Sequence, residues 1–94
     1  MINFSNNNIS DVSLFANINN LYQLDISNNK ITDISFLSRM GKLRILDVSD
    51  NNIAYLPDFS ALYYLEEIDL RNNDNVDCNR IRNSKTSKLL LKCE

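Results

Sequence analysis

The feature that most limits what this chain can fold into is a register of 22 residues. Asn7, Asn29, Asn51 and Asn73 stand one step apart, and the same step aligns Ile2, Leu24, Leu46 and Ile68, then Phe4, Ile26, Val48 and Leu70. Further apolar columns run through Ile9, Ile31 and Ile53; Val12, Ile34 and Leu56; Phe15, Leu37 and Phe59; Ile18, Met40 and Leu62; and Leu21, Leu43 and Leu65. A fixed period of this size marks a repeat architecture, in which each unit buries its apolar side only against the units before and after it.

Two spacings alternate within each period. Over Leu24, Asp25, Ile26 and Ser27 the apolar residues alternate with polar ones, as in a short strand buried on one face. Beyond the Asn the apolar interval lengthens to about three, through Ile31, Ile34, Leu37 and Met40, which suits tight helical turns that carry the chain back. One period therefore holds a strand and a return path, and the class is α/β. Stacking the periods makes a parallel sheet over a thin continuous core. The Asn at the bend has two amide donors and a carbonyl acceptor for backbone groups that neither the strand nor the return path can pair. Asn29 and Asn51 are expected to be almost fully buried, and Asn28 beside the first of them to be only solvated.

The segments "LYQLDISNNKI", "LRILDVSDNNI" and, less regularly, "LEEIDLRNNDN" resemble the L-x-x-L-x-L-x-x-N-x-L core of the leucine-rich repeat family. The 22-residue length and the phrases "ITDISFL" and "ISDVSLF" are most similar to bacterial internalin-type repeats. The resemblance covers about residues 1 to 81. It implies a right-handed solenoid of about four turns, with short parallel strands on a concave face and 3-10 or short helical turns on the convex side. Residues 1–94 then form a single domain, with repeats at about 1–20, 21–42, 43–64 and 65–81 and a C-terminal cap over 78–94.

The cap is where the pattern changes. Asn75 falls where Ile is expected, Cys78 takes the column of Ile34 and Leu56, Ile81 takes that of Phe15, and "KLLLKC" reads as a closing strand. "VDCNRI" with the terminal "LKC" is similar to the cysteine-containing caps of exported members of the family, which implies a Cys78–Cys93 bridge and an extracytoplasmic protein. The alternative is a buried Cys78, a free Cys93 and a cytoplasmic protein. At the other end the chain starts inside a repeat. The strand "INFS" offers an open edge that either a longer parent chain or a second copy would cover, so self-association there is expected as one of two outcomes.

Composition excludes several functions. The chain of 94 residues has no His, one Gly and one Pro, and it holds no phosphate loop, nucleophile–base pair or metal-ligand cluster. No enzyme, cofactor or bound metal is expected. Two Cys without His cannot complete a zinc site. Asp25, Asp47 and Asp69 stack at one step and could attract a cation, but Asp is common at this strand position in the family, so no metal role is assigned to them. The first twenty residues have neither a basic start nor a continuous apolar run, so no signal peptide is read there, and no run is long enough for a membrane span.

Net charge is −2, with 11 of the 12 acidic residues in residues 1–77 and 5 of the 10 basic residues in 78–94. The basic segment of Arg80, Arg82, Lys85, Lys88 and Lys92 lacks interleaved aromatics, so it reads as a solvated cap and not as a nucleic-acid site. The sequons at Asn3 and Asn8 are expected by chance in so Asn-rich a chain.

What remains for function is the outward face of the strands. Its side chains are free of core duty, and the expected partner-binding set is Tyr22, Gln23, Asp25, Arg44, Ile45, Asp47, Glu67, Asp69 and Arg71. Counted with Asp50 and Glu66 the face has six acidic and two basic groups, so it would steer a protein with a basic patch. The expected function is non-enzymatic protein recognition. Internalin resemblance adds a bacterial surface or exported setting; an intracellular scaffold is the rival, and a metal- or glycan-binding acidic face stands behind both.

Overall fold

A computed structural model describes residues 2–11, 13, 15, 18, 20–56, 62–79 and 89–93. Among them are five short strands: β1 (Ile2–Asn3), β2 (Gln23–Asp25), β3 (Ile45–Asp47), β4 (Glu67–Asp69) and β5 (Leu90–Lys92). They form one sheet in the order β1-β2-β3-β4-β5, and every pairing is parallel. Neighbours in sequence are thus neighbours in space, and the chain must return to the same level between each strand and the next.

The 22-residue register survives into the sheet. Ile2 pairs with Leu24, Leu24 with Leu46, and Leu46 with Ile68. Ile68 then faces Leu91, one residue beyond the period, so the closing strand read in "KLLLKC" is present with a shifted step. The shift follows a local change in the fourth repeat: Asn75, standing where Ile was expected, is exposed, and its neighbour Val76 packs against the core instead.

The core is the set of stacked columns. Leu24, Ile26, Ile31, Ile34, Leu37, Met40, Leu43, Leu46, Val48, Ile53 and Ile68 are all 0–1% exposed, so both the strand side and the return side face inward. Phe15 joins them and links two turns, with its ring 5.6 Å from Phe4 edge-on and 5.1 Å from Phe36 in a stack. On the return side Ser35–Arg39 is a 3-10 helix, the tight turn that the three-residue spacing implied. Asp33 holds its start by accepting the Ser35 N–H at 2.8 Å, and Asp33 itself bridges in parallel to Tyr55 of the next turn. Val12, Phe59 and Ile81, which the register assigns to return columns, lie outside the described residues.

Each strand is only two or three residues long because the chain bends sharply just after it, and the bend is built by two successive residues. The first, at Asn6, Asn28, Asp50 and Asn72, has a left-handed backbone with φ of 55–62°. Asn and Asp tolerate that region better than other residues with a Cβ, which explains a chain that turns without glycine. Their side chains also pair between turns: Asn28 Nδ2 donates to Asn6 Oδ1, and Asn72 Nδ2 donates to Asp50 Oδ1. The expectation that Asn28 is merely solvated is therefore corrected, since it makes the bend and contacts the preceding turn.

The second residue is the in-register Asn. Asn29 Nδ2 donates to the carbonyls of Ile26 and Ser27 in its own turn and of Phe4 in the preceding turn, at 3.0–3.1 Å. Its Oδ1 accepts the N–H groups of Asn7 and Ile9, also in the preceding turn, at 3.0 and 2.8 Å. Asn51 repeats this with Ile26, Val48 and Ser49 as acceptors and the Ile31 N–H as donor, and Asn73 with Val48, Leu70, Arg71 and the Ile53 N–H. Asn29, Asn51 and Asn73 are 5–8% exposed, as expected for Asn29 and Asn51. Asn7 differs: it is exposed, and among the described residues its amide donates to Phe4 and Ser5, both of its own turn.

At the C-terminal end Cys78 and Cys93 form a disulfide across 15 residues, with Cα atoms 5.8 Å apart. It ties the end of β5 to the fourth turn. A loop of that length stabilises by about 3 kcal/mol on the chain-entropy estimate.

Two outcomes are expected from denaturation midpoints. Asn29→Leu leaves several buried backbone groups unpaired and costs more than about 2 kcal/mol, whereas Asn7→Leu, at an exposed site, costs less than about half as much. Asn28→Ala places an ordinary Cβ in the left-handed region and costs about 1 kcal/mol, while Asn28→Gly is tolerated.

Candidate functional site

The outward face of the sheet is assembled from side chains one register step apart. Tyr22, Arg44 and Glu66 make one row just before the strands, and Gln23, Ile45, Glu67 and Leu90 make the next. Asn3, Asp25, Asp47, Asp69 and Lys92 form the third. Rows in a parallel sheet hold neighbours about 4.8 Å apart, and eight of the nine residues expected from sequence stand in these three rows, with Arg71 two residues past Asp69. They are not equally available. Tyr22 is 54% exposed and Arg44 and Arg71 are exposed; Gln23, Asp25, Ile45, Asp47 and Glu67 are half-buried; Asp69 is buried.

The aspartate row has a structural task that sequence reading left open. Asp25 Oδ1 accepts the Ser27 N–H at 3.0 Å and the Ser27 hydroxyl at 2.7 Å, and Asp47 does the same for Ser49 at 3.0 and 2.6 Å. Each carboxylate thus closes the end of its own strand into the bend through Oδ1, and no hydrogen bond from the described residues reaches its Oδ2. Asn3 plays the same part for Ser5. Asp69 departs from the row because Arg71 replaces the serine: Asp69 Oδ1 accepts the Arg71 backbone N–H and Nε–H, and Oδ2 accepts from Nη2 at 2.7 Å. This forked pair occupies both carboxylate oxygens. Among the described residues no group of three or more His, Cys, Asp or Glu could hold a metal ion.

Two more ion pairs cross the sheet. Arg44 Nε donates to Glu66 Oε2 one register step away, and Lys92 Nζ lies 3.8 Å from Glu67 Oε2. The first was legible in the 22-residue step, which sets position 66 beside 44. The second depends on the shifted register of β5. The first is exposed and the second half-exposed, and such pairs fix geometry more than stability.

Sequence reading also passed over three exposed aromatics. Tyr63 and Tyr64 sit in the turn before β4 at 86% and 65% exposure, and Tyr55 lies past the bend of the third repeat at 65%. The available signal was a break within a column: Tyr64 stands where the other turns have Asn20 and Lys42, and Tyr55 where they have Asp11, Asp33 and Asp77. A cleft of about 290 Å³ opens beside the disulfide, with Leu70 and Val76 on its apolar side and Asn72 and Asp74 on its polar side.

Several groups on this framework titrate away from their ordinary range. Burial pushes the Asp69 carboxyl up, but the Arg71 hydrogen bonds, with the charges of Arg71 and Lys92, outweigh it and hold Asp69 below the usual aspartate value. The Arg44 hydrogen bond lowers Glu66, and the Glu66 carboxylate raises Arg44 in turn. Backbone N–H groups of Ser13 and Ser35 lower Asp11 and Asp33. A carboxylate held below its unfolded value stabilises the fold above that value, and the contribution disappears as pH falls through the lowered one. Thermal stability is therefore expected to be level between about pH 7 and 5 and to fall below about pH 4, with a shallower fall for Asp69→Asn. Equal acid sensitivity of the two proteins would count against the Asp69–Arg71 pair.

Comparison with known proteins agrees with this geometry. A family model described as leucine rich repeats in two copies matches residues 1–39, and a second, described as a leucine rich repeat, matches residues 42–62. No curated protein matches the chain. The bonds of Asn73 and the pairing of β4 repeat the pattern beyond residue 62. With two such models covering successive stretches of the chain, and an Asn ladder and parallel sheet in the same register, the protein belongs to the leucine-rich repeat family.

Proposed function

We propose that this chain is a non-enzymatic protein-recognition module that binds its partner through the strand face. The observation that carries the reading is the face itself: an array of side chains, repeated at one fixed step, that includes an exposed Tyr22 and a half-buried Ile45 beside charged groups. Aromatic and arginine side chains on a rigid support are the types that dominate interface energetics. The fold that supports it is read as a right-handed solenoid of about four turns forming one domain over residues 1–94, capped over 78–94.

The setting we infer is extracytoplasmic, as in exported or surface-attached bacterial proteins with internalin-type repeats. The Cys78–Cys93 disulfide supports this, because such bonds persist in oxidising compartments. Among the described residues no helix is long and apolar enough to cross a membrane.

The test is affinity capture of the partner followed by titration with variants. Tyr22→Ala and Arg44→Ala are each expected to weaken binding by about tenfold or more with denaturation midpoints little changed. Full affinity in both variants would move the site off the strand face.

A further inference from the structure

The strand face is divided electrostatically, and the division indicates what it binds. Its three described cations are already engaged: Arg71 by Asp69, Arg44 by Glu66 and Lys92 by Glu67. The acidic member of every pair belongs to β4 or the residue just before it, so that half of the face neutralises itself. Among the described residues Asp25 and Asp47, on β2 and β3, form no salt bridge, although the charges of Asp47 and Asp50 reach the Arg71 guanidinium and help to raise it. Asp25 and Asp47 stand directly opposite each other in register, and no hydrogen bond from the described residues reaches the Oδ2 of either. Asp50 adds a third negative charge at the rim. Two like charges facing across a strand pair repel each other, and a cation seated between them relieves that repulsion.

The same half of the face carries the exposed ring of Tyr22 and the half-buried Ile45, with Gln23 beside Ile45 in the same row. A bare cation would leave these unused. A long basic side chain would not, since its alkyl stem packs on apolar surface while its charged head reaches a carboxylate, and a guanidinium can also stack on a tyrosine ring. Resting on the reading of this face as the binding surface, we propose that the β2–β3 half receives a basic segment of a partner protein. An Arg or Lys is seated between Asp25 and Asp47, and a neighbouring aliphatic or aromatic residue lies against Tyr22 and Ile45. The unpaired carboxylates then set on-rate and specificity, and the apolar contacts set residence time.

The chemistry of the site permits a clean test, because Asp→Asn removes the charge while keeping the Oδ1 acceptor that Ser27 and Ser49 need. The intact, disulfide-bonded protein is used to select from a library of random displayed peptides, and the tightest peptides are synthesised and titrated. The selected peptides are expected to carry Arg or Lys beside an aliphatic or aromatic residue. Their affinity is expected to drop by about tenfold or more in the Asp25→Asn/Asp47→Asn double variant and to fall steeply toward about 0.5 M salt. Asp33→Asn, which removes one charge on the return side and keeps the Oδ1 acceptor of the Ser35 N–H, should change it by less than about twofold.

Selected peptides without basic residues, unchanged affinity in the double variant, or no selected binder at all would each overturn the proposal. So would binding that requires calcium, or self-association of the protein that the double variant abolishes. If Tyr22→Ala and Ile45→Ala weaken binding while the double variant does not, the strand face remains the site and only its charge assignment fails. If none of these substitutions matters, both readings fail.

Discussion

One asparagine per turn, hydrogen-bonded to two turns at once, is the interaction on which the rest of this structure depends. A parallel sheet with strands of two or three residues has very little ladder of its own, and every strand must end in a bend whose backbone groups point away from any strand partner. Asn29, Asn51 and Asn73 supply those partners from inside the protein, donating to carbonyls of their own and the preceding turn and accepting N–H groups from the preceding turn. The ladder holds the spacing of the turns, and the spacing aligns the apolar columns. Hydrophobic burial supplies the magnitude of the stability, and the asparagines specify the register in which it is collected.

The functional surface is a by-product of the same constraint. Because the period fixes which residues lie side by side, any exposed position is automatically placed in a row, and the chemistry of a row can vary while the core columns stay constant. The aspartates show how close the two roles lie. In Asp25 and Asp47 one carboxylate oxygen serves the bend and the other takes no hydrogen bond from the described residues, whereas in Asp69 the arginine two residues on takes both. A single change from serine to Arg71 thus turns an outward-facing charge into an internal pair.

Most of the fold was legible in the sequence because the signal was repeated. Asn29 could be distinguished from Asn28 by column membership alone, and strand faces followed from the alternation around Leu24 and Ile26. What the columns did not reveal were features with no hydrophobic signature. The left-handed bend at Asn28 looks like any other solvated amide until the backbone is seen, even though Asn6, Asp50 and Asn72 share its column. The serine bonds of Asp25 and Asp47 are local and carry no spacing signal. At the cap the register itself slips by one residue, so the Lys92–Glu67 contact lay beyond what a constant step could indicate, although the cysteines and the apolar run "KLLL" did mark that a closing strand and bridge belonged there.

Native-state hydrogen exchange measured amide by amide tests the central role of the asparagine ladder most directly. The N–H groups of Ile31 and Ile53, bonded to asparagine side chains and to no backbone carbonyl among the described residues, are the informative probes. If the ladder unites the turns, these two amides exchange only when the whole protein unfolds, with the same opening free energy as the amide of buried Val48 just after β3, which donates to the Asp69 carbonyl. Exchange at the rate of exposed turn amides such as those of Gly41 and Lys42 would show that the turns open independently of their asparagines and would contradict the account.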